Sequence, residues 1–357
     1  MKKVLSLLPI LFLCFWIQAQ PVSLPTVSKK AAVAEWIGLT KVEIEYHRPG
    51  VKGREGNIYG ENGIVPYNNG KPMPWRAGAD ENTIISFDDE VLIEGKALPA
   101  GKYGFFIAMT ENQWTLIFSK NHWSWGAYFY DPADDALRVN VAPMEGEHVE
   151  WLEYRFVNQT DRSADVEMSW ESRKVQFTVE VDLHTTTMRR IERELEGGKG
   201  FTWDGWNSAA QYCLLSGKDL EKGLAWVNNS IDPNQGGQKN FTNLSTKSQL
   251  LEKLGRANEA KPVMEEALTM ATMIEMHFYA RSLIDQNRAQ EALKMFELNR
   301  AKNPMDNFTT YVGLGRGYMA VGKYKEAAGY FRMAAPNAPP GQNTAYEDLA
   351  RQCEEKM

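Results

Sequence analysis

The residues best suited to chemistry lie in two short stretches of the N-terminal half. Tyr46-His47-Arg48-Pro49-Gly50-Val51-Lys52-Gly53-Arg54 concentrates cations in a chain whose formal charge is −6, and Trp75-Arg76-Ala77-Gly78-Ala79-Asp80-Glu81-Asn82-Thr83 follows it. Arg48, Lys52, Arg54 and Arg76 could grip a carboxylate or phosphate through paired N–H donors, with Trp75 as a flat apolar wall. The same residues could instead form a structural network, Glu81 pairing with one arginine while Trp75 plugs the end of a domain. Further on, Trp123, Trp125, Gly126, Tyr128, Phe129 and Tyr130 cluster. Such aromatics can stack on sugar rings, but burial in a β core is the default use of side chains this large. The candidate ligand-binding residues are therefore Arg48, Lys52, Arg54, Trp75, Arg76, Glu81 and Trp125.

Signatures of catalysis are missing from the sequence. His47, His122, His148, His184 and His277 have no partners at metal-ligand spacing, and none stands in an H-E-x-x-H frame. No G-x-S-x-G elbow occurs. The run Gly317 to Lys323 imitates a phosphate loop but continues with Tyr324 and follows no strand, so it reads as a helical hairpin turn. Asp80-Glu81, Asp88-Asp89 and Asp134-Asp135 could supply acid and base carboxylates, and ordinary turn chemistry accounts for them as well. The residues thus point to a non-catalytic binding or scaffold protein with no cofactor, no metal and no catalytic residue. The alternative is a cell-envelope enzyme that binds a carbohydrate or an anionic ligand.

The first residues speak to compartment. Lys2-Lys3, the apolar run Val4 to Ile17, and Ala19 before a Pro-rich segment have the layout of a secretory leader cleaved after Ala19. That run is shorter than the roughly 18–20 residues needed to span a bilayer. Leu13 precedes Cys14, which argues against lipid attachment there. Losing Lys2 and Lys3 would leave the mature chain more acidic still, a poor surface for nucleic acid. The expectation is a periplasmic or secreted protein with no transmembrane helix. Cys213 and Cys353 would remain, either as a disulfide or as small buried hydrophobes.

Two kinds of periodicity divide the chain. From Val33 to about Asp182, apolar and polar residues alternate between turn signals, as in Val42, Ile44 and Tyr46 before the Arg48-Pro49-Gly50 break. About nine strands are expected, with hairpin connections at Asp88-Asp89 and at Glu94-Gly95. No helix separates them, so a jelly-roll-like antiparallel β-sandwich is favoured over a parallel sheet. Beyond a Thr- and Gly-rich boundary the period becomes helical and repeats. Leu314-Gly315 with Tyr318, and Ala327 with Phe331, fit the tetratricopeptide pattern of small residues at a helix crossing and aromatics between hairpins. Gly223/Val227/Ser230, Ala260/Met264/Ala267 and Ala292/Phe296/Asn299 align with Ala327/Phe331/Ala334 at intervals near the ~34 residues of that repeat. Gly217, Gly255 and Gly322 supply turns in three of the four hairpins. The expected organisation is a leader over 1–19, a linker over 20–32, a β-sandwich over 33–184, a linker over 185–200, and a tetratricopeptide-like helical array over 201–357.

Several of these motifs occur together in one order: Arg48-Pro49-x-Val51-Lys52-Gly53-Arg54, Val65-Pro66-Tyr67, Trp75-Arg76-x-Gly78-Ala79-x-Glu81-x-Thr83, Leu98-Pro99-Ala100-Gly101-x-Tyr103 and Trp125-Gly126-x-Tyr128. The combination resembles domain of unknown function 2911, a secreted family common in Bacteroidota, over roughly residues 27 to 182. Ala209 to Cys213 and Leu244 to Lys247 resemble the helical extension some relatives carry. Two departures stand out: His47 replaces a frequent Ser, and Asn57 to Asn62 reads as an insertion. The resemblance implies export and a β fold, and it implies no reaction. With it come two expected contacts: a protein or peptide partner at the helical repeats and a small anionic or sugar ligand at the β domain.

Overall fold

The protein is described by a computed structural model covering residues 25–357. The expected leader and Cys14 lie outside the described residues. The chain divides into two compact units, separated between Met188 and Arg189. As expected, an antiparallel β domain precedes an array of helices.

The first unit contains β1 (Lys29–Ile37), β2 (Thr40–Arg48), β3 (Tyr59–Gly60), β4 (Val65–Pro66), β5 (Thr83–Phe87) and β6 (Val91–Ile93). After them come β7 (Lys96–Leu98), β8 (Gly101–Met109), β9 (Trp114–Ser119), β10 (Asp135–Val141), β11 (Met144–Val157) and β12 (Ser163–Glu180). A six-stranded sheet runs β1-β2-β5-β8-β9-β10, and a four-stranded sheet runs β11-β12-β6-β7. Their inner faces share one core, in which Ile44, Ile85, Phe105 and Phe118 meet Leu152, Val166, Phe177 and Val179. β2 shows why: Val42, Ile44 and Tyr46 are buried while Lys41, Glu43 and Glu45 lie on its wetter face.

Two connections differ from the sequence reading. β5 pairs with β2 and β8, whereas β6 pairs with β12 and β7. Asp88-Asp89 is therefore a crossing between sheets and not a hairpin, while Glu94-Gly95 does close the β6–β7 hairpin. Local turn chemistry is the same in both cases; only the sheet partner distinguishes them. The stretches expected as separate strands over 164–170 and 175–181 are one strand, β12, with the left-handed Glu171 inside it. The expected insertion over 57–62 is not peripheral either, since Ile58 is fully buried and Tyr59 packs on Trp114 and Trp170.

The segment expected as a linker over 185–200 is mostly helix. α1 (Leu183–Leu195) spans the division between the units. Its threonines read as linker composition, but Thr186 and Thr187 turn their hydroxyls back onto the Asp182 and Leu183 carbonyls, and the Asp182 side chain accepts from the Thr185 amide. The β domain likewise starts earlier than Val33, at Lys29.

The second unit holds α2 (Trp203–Ser216), α3 (Leu220–Ile231), α4 (Phe241–Lys253), α5 (Ala257–Met270), α6 (Met273–Asp285), α7 (Ala289–Lys302), α8 (Thr309–Ala320), α9 (Tyr324–Ala334) and α10 (Asn343–Glu354). α2/α3, α4/α5, α6/α7 and α8/α9 pack as hairpins. Small residues sit where the helices cross: a Cβ on Gly315 would come within 2.7 Å of the Phe331 ring. Gly217, Gly255 and Gly322 take left-handed conformations at the turns, and the third hairpin uses Asn287 (φ 60°) for the same purpose. Cys213 and Cys353 are both buried and free.

Candidate anion-binding groove of the β domain

The loop from Trp75 to Thr83 is anchored by backbone bonds before its side chains are considered. Trp75 exchanges N–H···O bonds with Ile107 at 2.9 and 2.8 Å, extending the sheet beside β8 beyond the end of β5. The chain then turns through two left-handed non-glycine residues, Ala77 (φ 51°) and Asp80 (φ 55°), and a third, Lys52 (φ 53°), stands in the basic loop. Such conformations cost about 1–2 kcal/mol each and persist where the surroundings enforce them. Here the enforcement is visible: the Ala77 carbonyl accepts from the Thr83 hydroxyl at 3.0 Å and from the buried Tyr154 hydroxyl at 2.7 Å.

The Trp75 ring stacks on Trp170 of β12, with centroids 5.9 Å apart and planes at 18°, and its indole N–H donates to the Gly78 carbonyl at 3.1 Å. Two hollows flank this stack. One, of about 520 Å³, is lined by Lys52, Arg54, Trp75, Arg76 and Trp170 among others, with no Asp or Glu among the described residues of its wall. The other, of about 310 Å³, is lined by Trp75, Arg76, Ile107 and Tyr128. Trp75 and Arg76 belong to both, so they form a ridge between two small-molecule-sized hollows.

The cations are not equivalent. Arg48 lines neither hollow; its guanidinium donates to the Leu152 and Trp151 carbonyls of β11 and pairs with Glu153 at 3.4 Å, clamping the two sheets. Arg54 lines the larger hollow but donates to the Val51 and Gly50 carbonyls at 2.8 and 2.6 Å. Arg76 donates one N–H to the Asp80 carbonyl at 2.7 Å and lies over Tyr128 at 6.0 Å, leaving further donors of its fork uncommitted. Lys52 is exposed, with its ammonium 5.4 Å from the Trp151 ring. Glu81 is exposed, and among the described residues no ion pair reaches it. The structure thus brings Lys52, Arg54, Trp75 and Arg76 together, and it separates Arg48, Glu81 and Trp125 from the hollows.

Sequence reasoning missed the character of the 121–130 loop. Burial in a strand was its default reading, yet the segment is irregular, with Trp123 75% and Trp125 54% exposed and Tyr128 and Phe129 each 67% exposed. The loop covers the outer face of the six-stranded sheet. Ala127 packs with Phe106, Ala108 and Ile117, and Tyr130 adds an edge contact to Phe106 at 5.3 Å. Its approach is close enough that a Cβ on Gly104 would meet the Asn121 carbonyl at 2.5 Å. β8 is consequently buried on both faces, and of the four outward aromatics Tyr128 lines the smaller hollow. The aromatic content was legible in the sequence; that a loop and not a strand carries it was not.

A second missed feature is tertiary. Glu55, His148 and Glu150 bring ligand-type atoms within 4.8 Å of one another, though sequence spacing suggested no such set. Two of the three are already engaged: Glu150 accepts from the Lys52 amide at 3.0 Å and lies 3.7 Å from His148. Behind the stack, the Tyr59 hydroxyl and the Trp114 and Trp170 indole nitrogens are buried without hydrogen-bond partners among the described residues. Burial, reinforced by Glu171, raises the Tyr59 phenol far above its ordinary range, so it stays protonated.

No curated protein matches the chain. Over residues 28–179, which take in the groove and almost all of the sandwich, the chain matches the family described as protein of unknown function, DUF2911.

Proposed function

We propose that this is an exported, non-catalytic binding protein whose β domain holds a small anionic ligand at the Trp75–Arg76 ridge and whose tetratricopeptide-like helices serve as a protein-interaction scaffold. One observation carries the reading: a hollow of about 520 Å³ lined by Lys52, Arg54 and Arg76, with no side-chain carboxylate among the described residues of its wall, in a chain of net negative charge. Charge-assisted bonds from Lys52 and the free side of Arg76 supply the grip, and the Trp75 face supplies apolar contact. Tyr128, exposed at the smaller hollow, and the Trp75 face offer flat apolar surface, which favours a ligand with a stackable ring such as a sugar acid. The exposed aromatics of the 121–130 loop support the second reading, an enzyme acting on envelope carbohydrate, but among the described residues no pair of carboxylates lines the hollow to serve as acid and base. Among the described residues no helix is long and apolar enough to cross a membrane. With the leader-like N-terminus, this supports a periplasmic or secreted location for the processed chain.

A thermal-shift screen of the full chain against neutral sugars, hexuronates, phosphates and short peptides tests the proposal. Binding to the native state raises its melting temperature in proportion to occupancy. Hexuronates or phosphates should stabilise the wild-type chain and leave Lys52→Ala/Arg76→Ala unmoved. Stabilisation by neutral sugars alone, or equal shifts in both proteins, would overturn it.

A further inference from the structure

Two arginines of the helical array stand in equivalent positions of successive hairpins. Arg281 precedes Ala292 by the same interval as Arg316 precedes Ala327, and their helices, α6 and α8, pack against one another. Neighbouring arginines are neutralised: Arg256, Arg288, Arg332 and Arg351 each pair with a carboxylate. Arg281 and Arg316 have no such partner among the described residues, and the Arg316 Nε is buried without any hydrogen bond. The Arg281 guanidinium lies 5.8 Å from the Phe278 ring. Burial first, and the charge of Arg281 second, hold the Arg316 guanidinium below its ordinary pKa, against an opposing pull from Tyr346.

The same face carries apolar surface. Ile274, Phe278 and Arg281 follow the i, i+4, i+7 spacing of one helix stripe, and Ile274 is 47% and Phe278 57% exposed. His277 beside them is buried, and its Nδ1 has no hydrogen-bond partner among the described residues. An anion alone would leave Ile274 and Phe278 wet; an apolar peptide alone would leave the charges of Arg281 and Arg316 without a counter-charge.

We propose that the α6/α8 face binds an acidic peptide segment of a partner protein, its carboxylate between Arg281 and Arg316 and an adjoining apolar side chain on Ile274 and Phe278. This rests on the scaffold half of the reading above and supplies its partner chemistry.

The test is selection of a displayed random heptapeptide library on the full-length chain, followed by fluorescence anisotropy with the most enriched peptide. Enriched sequences should carry Asp or Glu next to a large apolar residue. Replacing the acid by its amide, or using Arg281→Gln or Arg316→Gln, should each weaken binding about tenfold, the worth of one charge-assisted bond. Arg281→Lys/Arg316→Lys should retain part of the affinity, and helix melting curves confirm that every variant is folded. Enrichment without acidic residues, no enrichment, or equal binding by the Gln variants overturns the proposal. Loss with Lys52→Ala/Arg76→Ala instead would place the peptide at the β domain and overturn it too. Because the thermal-shift screen reads the β-domain groove separately, either proposal can fail alone.

Discussion

Acidification from roughly pH 7.5 to roughly pH 4.5 should weaken the helical array through one imidazole, and the size of the effect follows from the surroundings of His277. The ring is 7% exposed. Burial first, then the charges of Arg281 on its own helix and Arg316 on α8, push its pKa down from 6.5 to about 4, against opposing pulls from the Thr309 backbone and Asp306. The unfolded chain therefore takes up this proton before the folded one does. Its contribution to stability is full above pH 6.5 and is lost as pH falls toward 4. Integrating proton uptake across that window gives about 2.5 kcal/mol, and the water still in reach of the ring lowers this to about 2 kcal/mol. Urea unfolding followed by the far-ultraviolet helix signal, at both pH values, measures it in the full chain and in His277→Gln. Carboxylates titrate alike in the two proteins, so the difference isolates the imidazole. The wild type should lose about 2 kcal/mol more than the variant on acidification; an equal loss, or a smaller one, would refute the assignment.

Three further outcomes are expected. Gly104→Ala forces a Cβ to within 2.5 Å of the Asn121 carbonyl, so the 121–130 loop should lift at a cost of about 1–3 kcal/mol. The near-ultraviolet signal of its tryptophans should change, and unchanged spectra would mean the loop is not held by this contact. Trp75→Ala removes the stack on Trp170 and the bond to Gly78 and should destabilise the β domain by about 2–3 kcal/mol. Lys52→Ala, on an exposed side chain, should cost no more than about 0.5 kcal/mol in the same denaturation experiment. Asn287→Gly should be near neutral in array melting, whereas Asn287→Ala should cost about 1 kcal/mol, because only the first tolerates φ 60° freely.

What could be read in advance follows the physics of each signal. Alternation along Val42, Ile44 and Tyr46 reports a local periodicity, so strands were legible, as were the small residues at helix crossings. Sheet membership is not local: nothing in Asp88-Asp89 says that β5 and β6 part into different sheets. Asn287 was less legible than the turn glycines because asparagine tolerates the left-handed region but is equally at home in other conformations, so its type alone does not mark a turn. In the groove, the grouping of Lys52, Arg54, Trp75 and Arg76 was legible from their density and charge. That Arg48 serves the two sheets instead was not, since its acceptors are carbonyls of a strand about a hundred residues away. The exposed aromatics were not legible for a related reason: hydrophobicity predicts burial on average, whereas this loop buries Gly126 and Ala127 and holds Trp123, Trp125, Tyr128 and Phe129 outward.

A crystal structure of the chain with the strongest stabiliser from the thermal-shift screen bears most directly on the groove. Density for the ligand's anionic group should lie within hydrogen-bond distance of Lys52 and Arg76, with its ring against Trp75 or Tyr128. Ligand density elsewhere on the β domain, with the hollow at Trp75 occupied only by solvent, would contradict it.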